Sequence, residues 1–379
     1  MSVMVETGCL KLRGDAKDLA DALGVVTAVV PAKSTRPILQ NVLLDARGGV
    51  LELTGTDLDV SIRVRVERVD VLGEGRVLVN AARFQQILRE LSGDQVELEV
   101  DDRAGCTIST GDAKFHVMGE QPDDYPELPE VSAEAGHRFP APALAEMIRR
   151  TQFAAHPEKT RYAMNGVLVD LADRRLRLVA TDGKRLAMQE RVLAEDVPTP
   201  VFVVVPTKAM ALLQRIASAT EGDVELFVEA TQVLLRTAGT SVVARLIEGH
   251  FPPYEDVLPR AHDKRLTLPR EGFMAALRRA ALLATKDSQA VRFQFTREGL
   301  VLTARVPEVG ESRVTFPLDY PFDPIETGFN PAFFVDVLRV LEGVELTLAL
   351  KDAKSAAVVE ERFEGGSYVY LVMPLNLTA

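Results

Sequence analysis

The chain contains the stretch Leu51-Glu52-Leu53-Thr54-Gly55-Thr56-Asp57, which recurs twice. The second copy is Leu176-Arg177-Leu178-Val179-Ala180-Thr181-Asp182, and a weaker third copy is Leu300-Val301-Leu302-Thr303-Ala304-Arg305. The copies are offset by 125 and 124 residues, far more than the period of about 20–50 residues that is typical of solenoids. A chain of 379 residues is also long for one hydrophobic core, so several domains are expected.

A second marker follows each copy. Val96-Glu97-Leu98 comes after Gly93-Asp94, and the same pattern returns as Gly222-Asp223-Val224-Glu225-Leu226 and as Gly343-Val344-Glu345-Leu346. Its valines are offset by 128 and 120 residues. One such match would be chance, but two independent markers in three copies at nearly one spacing indicate a triplicated unit.

Each copy shows the same order of predicted elements. A segment with apolar residues at helical spacing comes first, then alternating strands, then a second helix, then more strands. The predicted helices are residues 19–30, 81–91, 144–155, 207–219, 273–284 and 331–341. The sequence therefore predicts an α+β protein of three domains, each with two helices and antiparallel sheet. The expected boundaries are 1–125, 130–252 and 256–379, with proline-rich linkers at 122–129 and 251–259.

The distribution of charge is uneven. A net charge of −11 by itself argues against nucleic acid as a partner, because phosphate binding needs clustered Lys and Arg. Yet six helical segments together carry a net charge of +7, and the rest of the chain carries −18. The six segments are residues 15–36, 80–91, 142–162, 207–220, 269–286 and 331–342. Either basic residues here simply favour helix ends and solvated faces, or the helices face a polyanion while an acidic exterior repels other contacts.

Helix packing limits how DNA could be enclosed. Neighbouring helices lie about 8–10 Å apart, so a circle of six would have no hole and a circle of twelve would be about 35 Å across. Duplex DNA is about 20 Å wide. Two copies of a chain with six helices are therefore needed to surround a duplex.

The sequence shows no pattern typical of an enzyme, a metal site, a secreted protein or a membrane protein. There is no phosphate-binding Gly-rich loop, nucleophile elbow or metal-ligand spacing among the five histidines, so no catalytic residue, cofactor or metal is expected. Thr56-Asp57-Leu58-Asp59 resembles a Mg²⁺ carboxylate pair only weakly. Cys9 and Cys106 are too few for a disulfide scaffold, and the N-terminus lacks the features of a signal peptide. A cytoplasmic protein without membrane contact is expected.

Two other classes of function fit a triplicated acidic chain less well. A triplicated hydrolase would need a chemical group present in one copy, and none stands out in the sequence. A scaffold that binds only protein could also be triplicated and acidic, but it would show no difference in charge between helices and strands.

The chain resembles the bacterial DNA polymerase III β subunits, the β sliding clamps. The resemblance spans essentially the whole chain and rests on residues 35–43, 53–58, 161–168, 179–186, 251–259 and 370–375. Ala180-Thr181-Asp182-Gly183-Lys184-Arg185-Leu186 and Met373-Pro374 are specific in combination.

The resemblance implies a non-catalytic processivity factor. It implies a head-to-tail homodimeric ring, with helices lining the hole, that encircles duplex DNA without sequence preference. The implied protein partners are the polymerase III α subunit, the clamp loader and other proteins with a clamp-binding motif, in the cytoplasm at the nucleoid.

The resemblance also implies three sets of site residues. Partner peptides would bind a groove formed by Met164, Thr181, Gly183, Arg185, Leu186, Pro252, Val257, Phe333, Leu371, Met373, Pro374 and Leu375. The dimer interface would include Phe115, Val117, Leu282 and Leu283, which could equally be core residues. A third set would face DNA and includes Lys33, Arg36 and Tyr162. The positive charge of the helices adds seven candidates to this set: Arg83, Arg149, Arg150, Lys208, Arg215, Arg278 and Arg279.

The chain departs from the family pattern at a few positions. Asp256 and Asn376 stand where basic residues are common near the groove, and Glu158 stands at a DNA-contact position that is usually neutral. A different preference among partner motifs is therefore expected.

Overall fold

The computed structural model describes residues 9–91, 93–127, 136–158, 162–197, 199–259, 261–283, 290–306 and 309–377. In this part of the chain the α-helices are α1 (Ala16–Val26), α2 (Ala81–Glu90), α3 (Ala141–Thr151), α4 (Thr207–Ser218), α5 (Arg270–Ala280) and α6 (Pro331–Val340). Each overlaps one predicted helical segment, although residue 284, the end of one prediction, lies outside the described residues. The helices form two compact units with the strands: residues 1–142 with 215–245, and residues 143–214 with 246–379.

Side chains at three helix starts explain where those helices begin. The carboxylate of Asp15 accepts a hydrogen bond from Lys17 N at 2.7 Å, and Asn80 Oδ1 accepts one from Arg83 N at 3.1 Å. Asn330 Oδ1 accepts from Ala332 N at 3.0 Å, with Pro331 at the first helical position. Each cap satisfies a backbone N–H that the helix itself leaves free, which stabilises a helix by about 1 kcal/mol.

The strands of the first repeat and the start of the second are β1 (Lys11–Asp15), β2 (Asn41–Arg47), β3 (Val50–Thr56), β4 (Val60–Val66), β5 (Val69–Gly73), β6 (Gly75–Asn80), β7 (Gln95–Val100), β8 (Gly105–Ser109), β9 (Lys114–Met118) and β10 (His137–Pro140). Those of the rest of the second repeat are β11 (Gly166–Ala172), β12 (Arg175–Thr181), β13 (Arg185–Val192), β14 (Val201–Pro206), β15 (Asp223–Val228), β16 (Gln232–Arg236) and β17 (Thr240–Arg245). Those of the third are β18 (Lys264–Pro269), β19 (Val291–Thr296), β20 (Gly299–Val306), β21 (Gly310–Phe316), β22 (Ile325–Phe329), β23 (Glu345–Leu350), β24 (Ala357–Phe363) and β25 (Gly366–Val372).

The element order confirms the triplication. The first marker lies in β3, β12 and β20, and the second marker lies in or next to β7, β15 and β23. A short strand before the first helix of each repeat was not predicted: β1, β10 and β18 pair antiparallel with β7, β15 and β23. The domain boundaries at 125, 130, 252 and 256 stay a prediction, because the second repeat supplies strands to both compact units.

The first unit contains two antiparallel sheets. One has the order β5-β1-β7-β8-β9, so β9 is an edge strand. The other, of order β10-β15-β16-β17-β4-β3-β2-β6, joins strands of two repeats through the pairing of β17 with β4. Here Gly55 lies beneath α1: a Cβ at this position would be 2.7 Å from a methyl of Val26. The repeated stretch therefore needs a small residue where helix and strand make contact.

The second unit repeats this plan. Its long sheet has the order β14-β11-β12-β13-β25-β24-β23-β18 and joins two repeats through the pairing of β13 with β25, from Arg185↔Val372 to Arg191↔Gly366. Its short sheet has the order β21-β20-β19-β22, so β21 is an edge strand. Where the second and third repeats meet, the sheet covers a core cluster of Ala163, Leu168, Val179, Leu186, Met188, Val204, Phe251, Tyr254, Ala349, Val358 and Leu371.

The turn after the first marker has the same hydrogen bonds in two repeats. Asp57 Oδ1 accepts from the backbone N–H groups of Asp59 and Val60 at 3.0 and 2.7 Å. Asp182 Oδ1 accepts from Lys184 and Arg185 at 2.9 and 3.0 Å. Gly183 has a φ of +84°, which glycine adopts without strain. The carboxylate of Asp57, which resembled part of a Mg²⁺ site only weakly, therefore accepts hydrogen bonds that stabilise this turn.

Among the described residues, no helix is long and apolar enough to cross a bilayer.

Candidate functional site

A cavity of about 190 Å³ with mainly apolar walls opens on the second unit. Nine of the twelve residues expected in the groove line it: Met164, Thr181, Gly183, Arg185, Leu186, Pro252, Val257, Leu371 and Met373. Val257 and Met373 are 53% and 44% exposed, so two large apolar side chains lie open to solvent in one cavity wall. Methionine adapts to apolar groups of different shape, so this wall suits side chains inserted from a partner.

The other three expected groove residues lie beside the cavity. Phe333 contacts it indirectly, because the guanidinium of Arg185 lies 4.5 Å from its ring centroid. Leu375 is held by a β-bridge to Gly328, and Pro374 connects it to Met373. The structure adds Pro253 and Tyr254, which the resemblance did not include. Because they directly follow Pro252 in the sequence, they could have been predicted as groove residues.

The pairing of β13 with β25 forms the floor of the cavity. Leu186 is opposite Leu371 in the register, and Met373 N donates to Lys184 O at 2.9 Å. Tyr370, on the opposite face of β25 from Leu371, donates its hydroxyl to Phe333 O at 2.8 Å. The C-terminal strand thus supplies one wall while it is fixed to α6 from behind.

Arg185 is the one charged side chain among the lining residues of this cavity, and it is held on several sides. Its guanidinium bonds to Asp182 at 3.0 Å, to Asp336 at 2.7 Å and to Phe153 O at 2.9 Å. Burial alone would lower the pKa of Arg185, but interactions with Tyr370, Asp336 and Asp182 outweigh it and raise the pKa. The side chain is therefore a permanently charged group in a fixed position at the cavity wall.

A polar network holds the linker wall in place. Within the 3₁₀ turn Tyr254–Val257, the Tyr254 hydroxyl donates to Asp170 Oδ2 at 2.7 Å. Arg177 joins them by bonding to Glu190 at 2.6 Å and to the same hydroxyl at 3.4 Å. Burial and the bond to Asp170 raise the pKa of Tyr254, so the phenol stays protonated. The turn is thereby anchored to β11 and β12.

Most of the basic residues expected to face DNA are exposed. These are Lys33, Arg36, Arg83, Lys208, Arg215, Arg278 and Arg279, and Tyr162 is 46% exposed. Arg149 is half-buried and bonds to Val340 O and Glu342. Residues 159–161, including Arg161 of the family motif, lie outside the described residues.

Arg150 is the exception among these cations. It is 4% exposed and pairs with Glu146 at 3.0 Å and Glu361 at 2.9 Å, while its guanidinium lies 5.7 Å from the Tyr368 ring centroid. The expectation that Arg150 faces DNA is wrong, because its guanidinium is buried and paired with carboxylates of the same unit.

The four expected interface residues lie at or near two sheet edges. Val117 on the edge strand β9 is buried within its own unit, Phe115 is half-buried, and Met118, which was not predicted, is 68% exposed. Leu282, in the 3₁₀ turn Ala281–Leu283, is 79% exposed, and Leu283 is half-buried. Ser312 of the edge strand β21 donates to Ala280 O at 2.8 Å, which places this turn next to that edge.

No cluster of metal-ligating side chains was found in the described part of the chain.

Each of the three repeats matches one domain of a known protein family. Family models of the DNA polymerase III β subunit match residues 10–129 (N-terminal domain), 138–253 (central domain) and 255–376 (C-terminal domain). A β sliding clamp of Pseudomonas aeruginosa is 32% identical over 95% of this chain and 98% of its own length. One from Escherichia coli is 29% identical over 97% of this chain and its own full length.

Solved structures show the same fold. A sliding clamp of Pseudomonas aeruginosa bound to griselimycin aligns with a TM-score of 0.90 and 29% identity, and one from Bacillus subtilis with a TM-score of 0.90 and 26% identity. Each alignment covers 97% of this chain and all of the other. The chain belongs to the family of bacterial DNA polymerase III β subunits, the β sliding clamps.

Proposed function

We propose that this chain is a processivity factor: two copies encircle duplex DNA, and the groove of each holds the replicative polymerase on it. The observation that carries the proposal is the cavity at the meeting of the second and third repeats. It combines exposed apolar side chains with one immobilised guanidinium, in a chain that matches the β subunit models in all three repeats. A short peptide with apolar anchors and a polar group fits such a site.

The open sheet edges support the homodimer. An exposed edge strand is a template for pairing with another chain, and proteins usually cover or charge such edges. Each copy offers the edge of β9 and the edge of β21, with Met118, Leu282 and Val309 exposed nearby at 68%, 79% and 59%. Pairing β9 of one copy with β21 of the other is heterologous, and two such interfaces close a ring.

The exposed cations support contact with DNA phosphates. They are spread over three helices and a loop rather than concentrated on one recognition helix, so contacts to base edges are not expected. Weak contacts of this kind let a protein slide, because no base pair fixes its position. Encirclement, rather than affinity, would then keep the protein on DNA.

The groove is proposed to serve several proteins in turn. Its partners would be the polymerase III α subunit, the clamp loader and other proteins with a clamp-binding motif, acting in the cytoplasm at the nucleoid. In this account the chain itself catalyses no reaction and uses no cofactor; opening the ring is the task of the loader.

Primer extension tests this function. With the cognate polymerase and loader on a primed single-stranded circle under single-hit conditions, adding this protein should lengthen the products by more than tenfold. Omitting the loader should abolish the gain. Products of unchanged length with all components active would contradict the proposal.

A further inference from the structure

Two acidic side chains lie on the rim of the groove. The 3₁₀ turn Tyr254–Val257 presents Tyr254 and Val257 to the cavity. Between these two wall residues come Glu255 and Asp256, both exposed. The side chain of Glu255 is 69% exposed, and its ion pair with Arg177 is long, at 3.6 Å. Both carboxylates are therefore available to a group bound in the cavity.

The positive charge of the groove does not offset them. Arg185 lies between Asp182 and Asp336, at 3.0 and 2.7 Å, and Arg339 also pairs with Asp336 at 3.7 Å, so these four side chains together carry no net charge. Of the described side chains in the segments that line the cavity, Lys184 is the one cation without such a pair, and it is exposed. The described rim, counted with Asp336 and Arg339, thus has a net charge of −1, because Lys184 offsets only one of Glu255 and Asp256.

We propose that the groove selects peptides in which Lys or Arg flanks the apolar anchor. The anchor would fill the cavity, and the flank would lie along the turn, where each cation meets Glu255 or Asp256. An acidic flank would be repelled by the same two carboxylates. Exposed pairs of this kind have modest energies, so they tune affinity and association rate rather than create binding. This preference rests on the proposed peptide-binding function of the cavity.

Peptide titrations test the preference. Three fluorescein-labelled peptides would share one apolar core of two leucines and a phenylalanine and differ only in a flank of two lysines, two serines or two glutamates. Fluorescence anisotropy with the full-length protein at low salt should show binding in the order Lys, Ser, Glu. The Lys and Glu peptides should differ about tenfold in affinity, and salt at about 0.5 M should remove most of the difference.

Variants identify the groups responsible. Glu255→Gln with Asp256→Asn should reduce the difference between Lys and Glu peptides to about twofold while the Ser peptide binds as before. Glu195→Gln with Asp196→Asn is the matched control: it removes an adjacent, exposed Glu-Asp pair that lies outside the segments that line the cavity. This control should keep the full preference.

The outcomes separate two failures. Equal binding of all three peptides, or tighter binding of the Glu peptide, would overturn the charge preference and leave the groove intact. A preference that survives the Glu255→Gln, Asp256→Asn variant would also overturn it. Failure of every peptide to bind, including an unflanked core, would instead contradict the peptide-binding function itself.

Discussion

At the scale of single residues, Arg185 connects the fold to the groove. It joins β13 to α6 through Asp336 and to the turn Gln152–Ala154 through Phe153 O, and it covers the ring of Phe333. Its side chain is 11% exposed, so these contacts are largely removed from water. The family motif identified Arg185 as a groove residue, but its aspartate partner 151 residues away could not be found from sequence spacing.

Arg185→Ala should lower the free energy of unfolding by about 2–4 kcal/mol, because Asp182 and Asp336 would be left without their common partner. Arg185→Lys should recover part of this loss, since an ammonium keeps the charge but cannot reproduce the fork of bonds. Urea denaturation followed by circular dichroism measures both. Equal stability of the Ala variant and the wild type would contradict this role.

The two cysteines should differ in reactivity. Cys106 is fully buried, and burial raises the pKa of its thiol to about 12, whereas Cys9 is exposed. Because the thiolate is the reactive form, Ellman's reagent at pH 8 should modify one thiol per chain in the native protein and two in denaturant. The Cys9→Ser variant should show none until it unfolds. Rapid modification of Cys106 in the native state would contradict its placement.

At the scale of elements, helices and central strands could be predicted, but short strands and ion-pair partners could not. Apolar periodicity indicated all six described helices. The strand β10, His137–Pro140, is four residues long, and such a strand is stabilised by pairing with β15 rather than by its own pattern. Arg150 looked like a surface cation on a helix because its partner Glu361 is 211 residues away.

Leu282→Asp should convert the proposed homodimer to a monomer, because it places a carboxylate in the interface proposed at β9 and β21. The side chain is 79% exposed in the single chain, so the fold should be unaffected. Val344→Asp is the matched control, since Val344 is 83% exposed and lies away from both edge strands in the sequence. Light scattering during gel filtration measures the mass. A dimer of undiminished stability in Leu282→Asp would contradict this interface.

At the scale of the whole molecule, triplication explains how an acidic chain could contact DNA phosphates, as proposed above. The three repeats have six helices among the described residues, and the positive charge of the helical segments is separated from the negative remainder of the chain. The two repeated markers, together with apolar periodicity, were enough to predict this plan. The proposed ring would close by pairing between copies, which no pattern within one chain specifies.

Retention on circular DNA tests the central claim, which is that the link to DNA is topological. Labelled protein would be loaded on a nicked circular plasmid by the cognate loader at moderate salt, purified by gel filtration, and followed before and after one restriction cut. A topological link should give stable retention on the circle and loss from the cut DNA at least tenfold faster. Equal retention on circular and linear DNA would show ordinary surface binding and contradict the account.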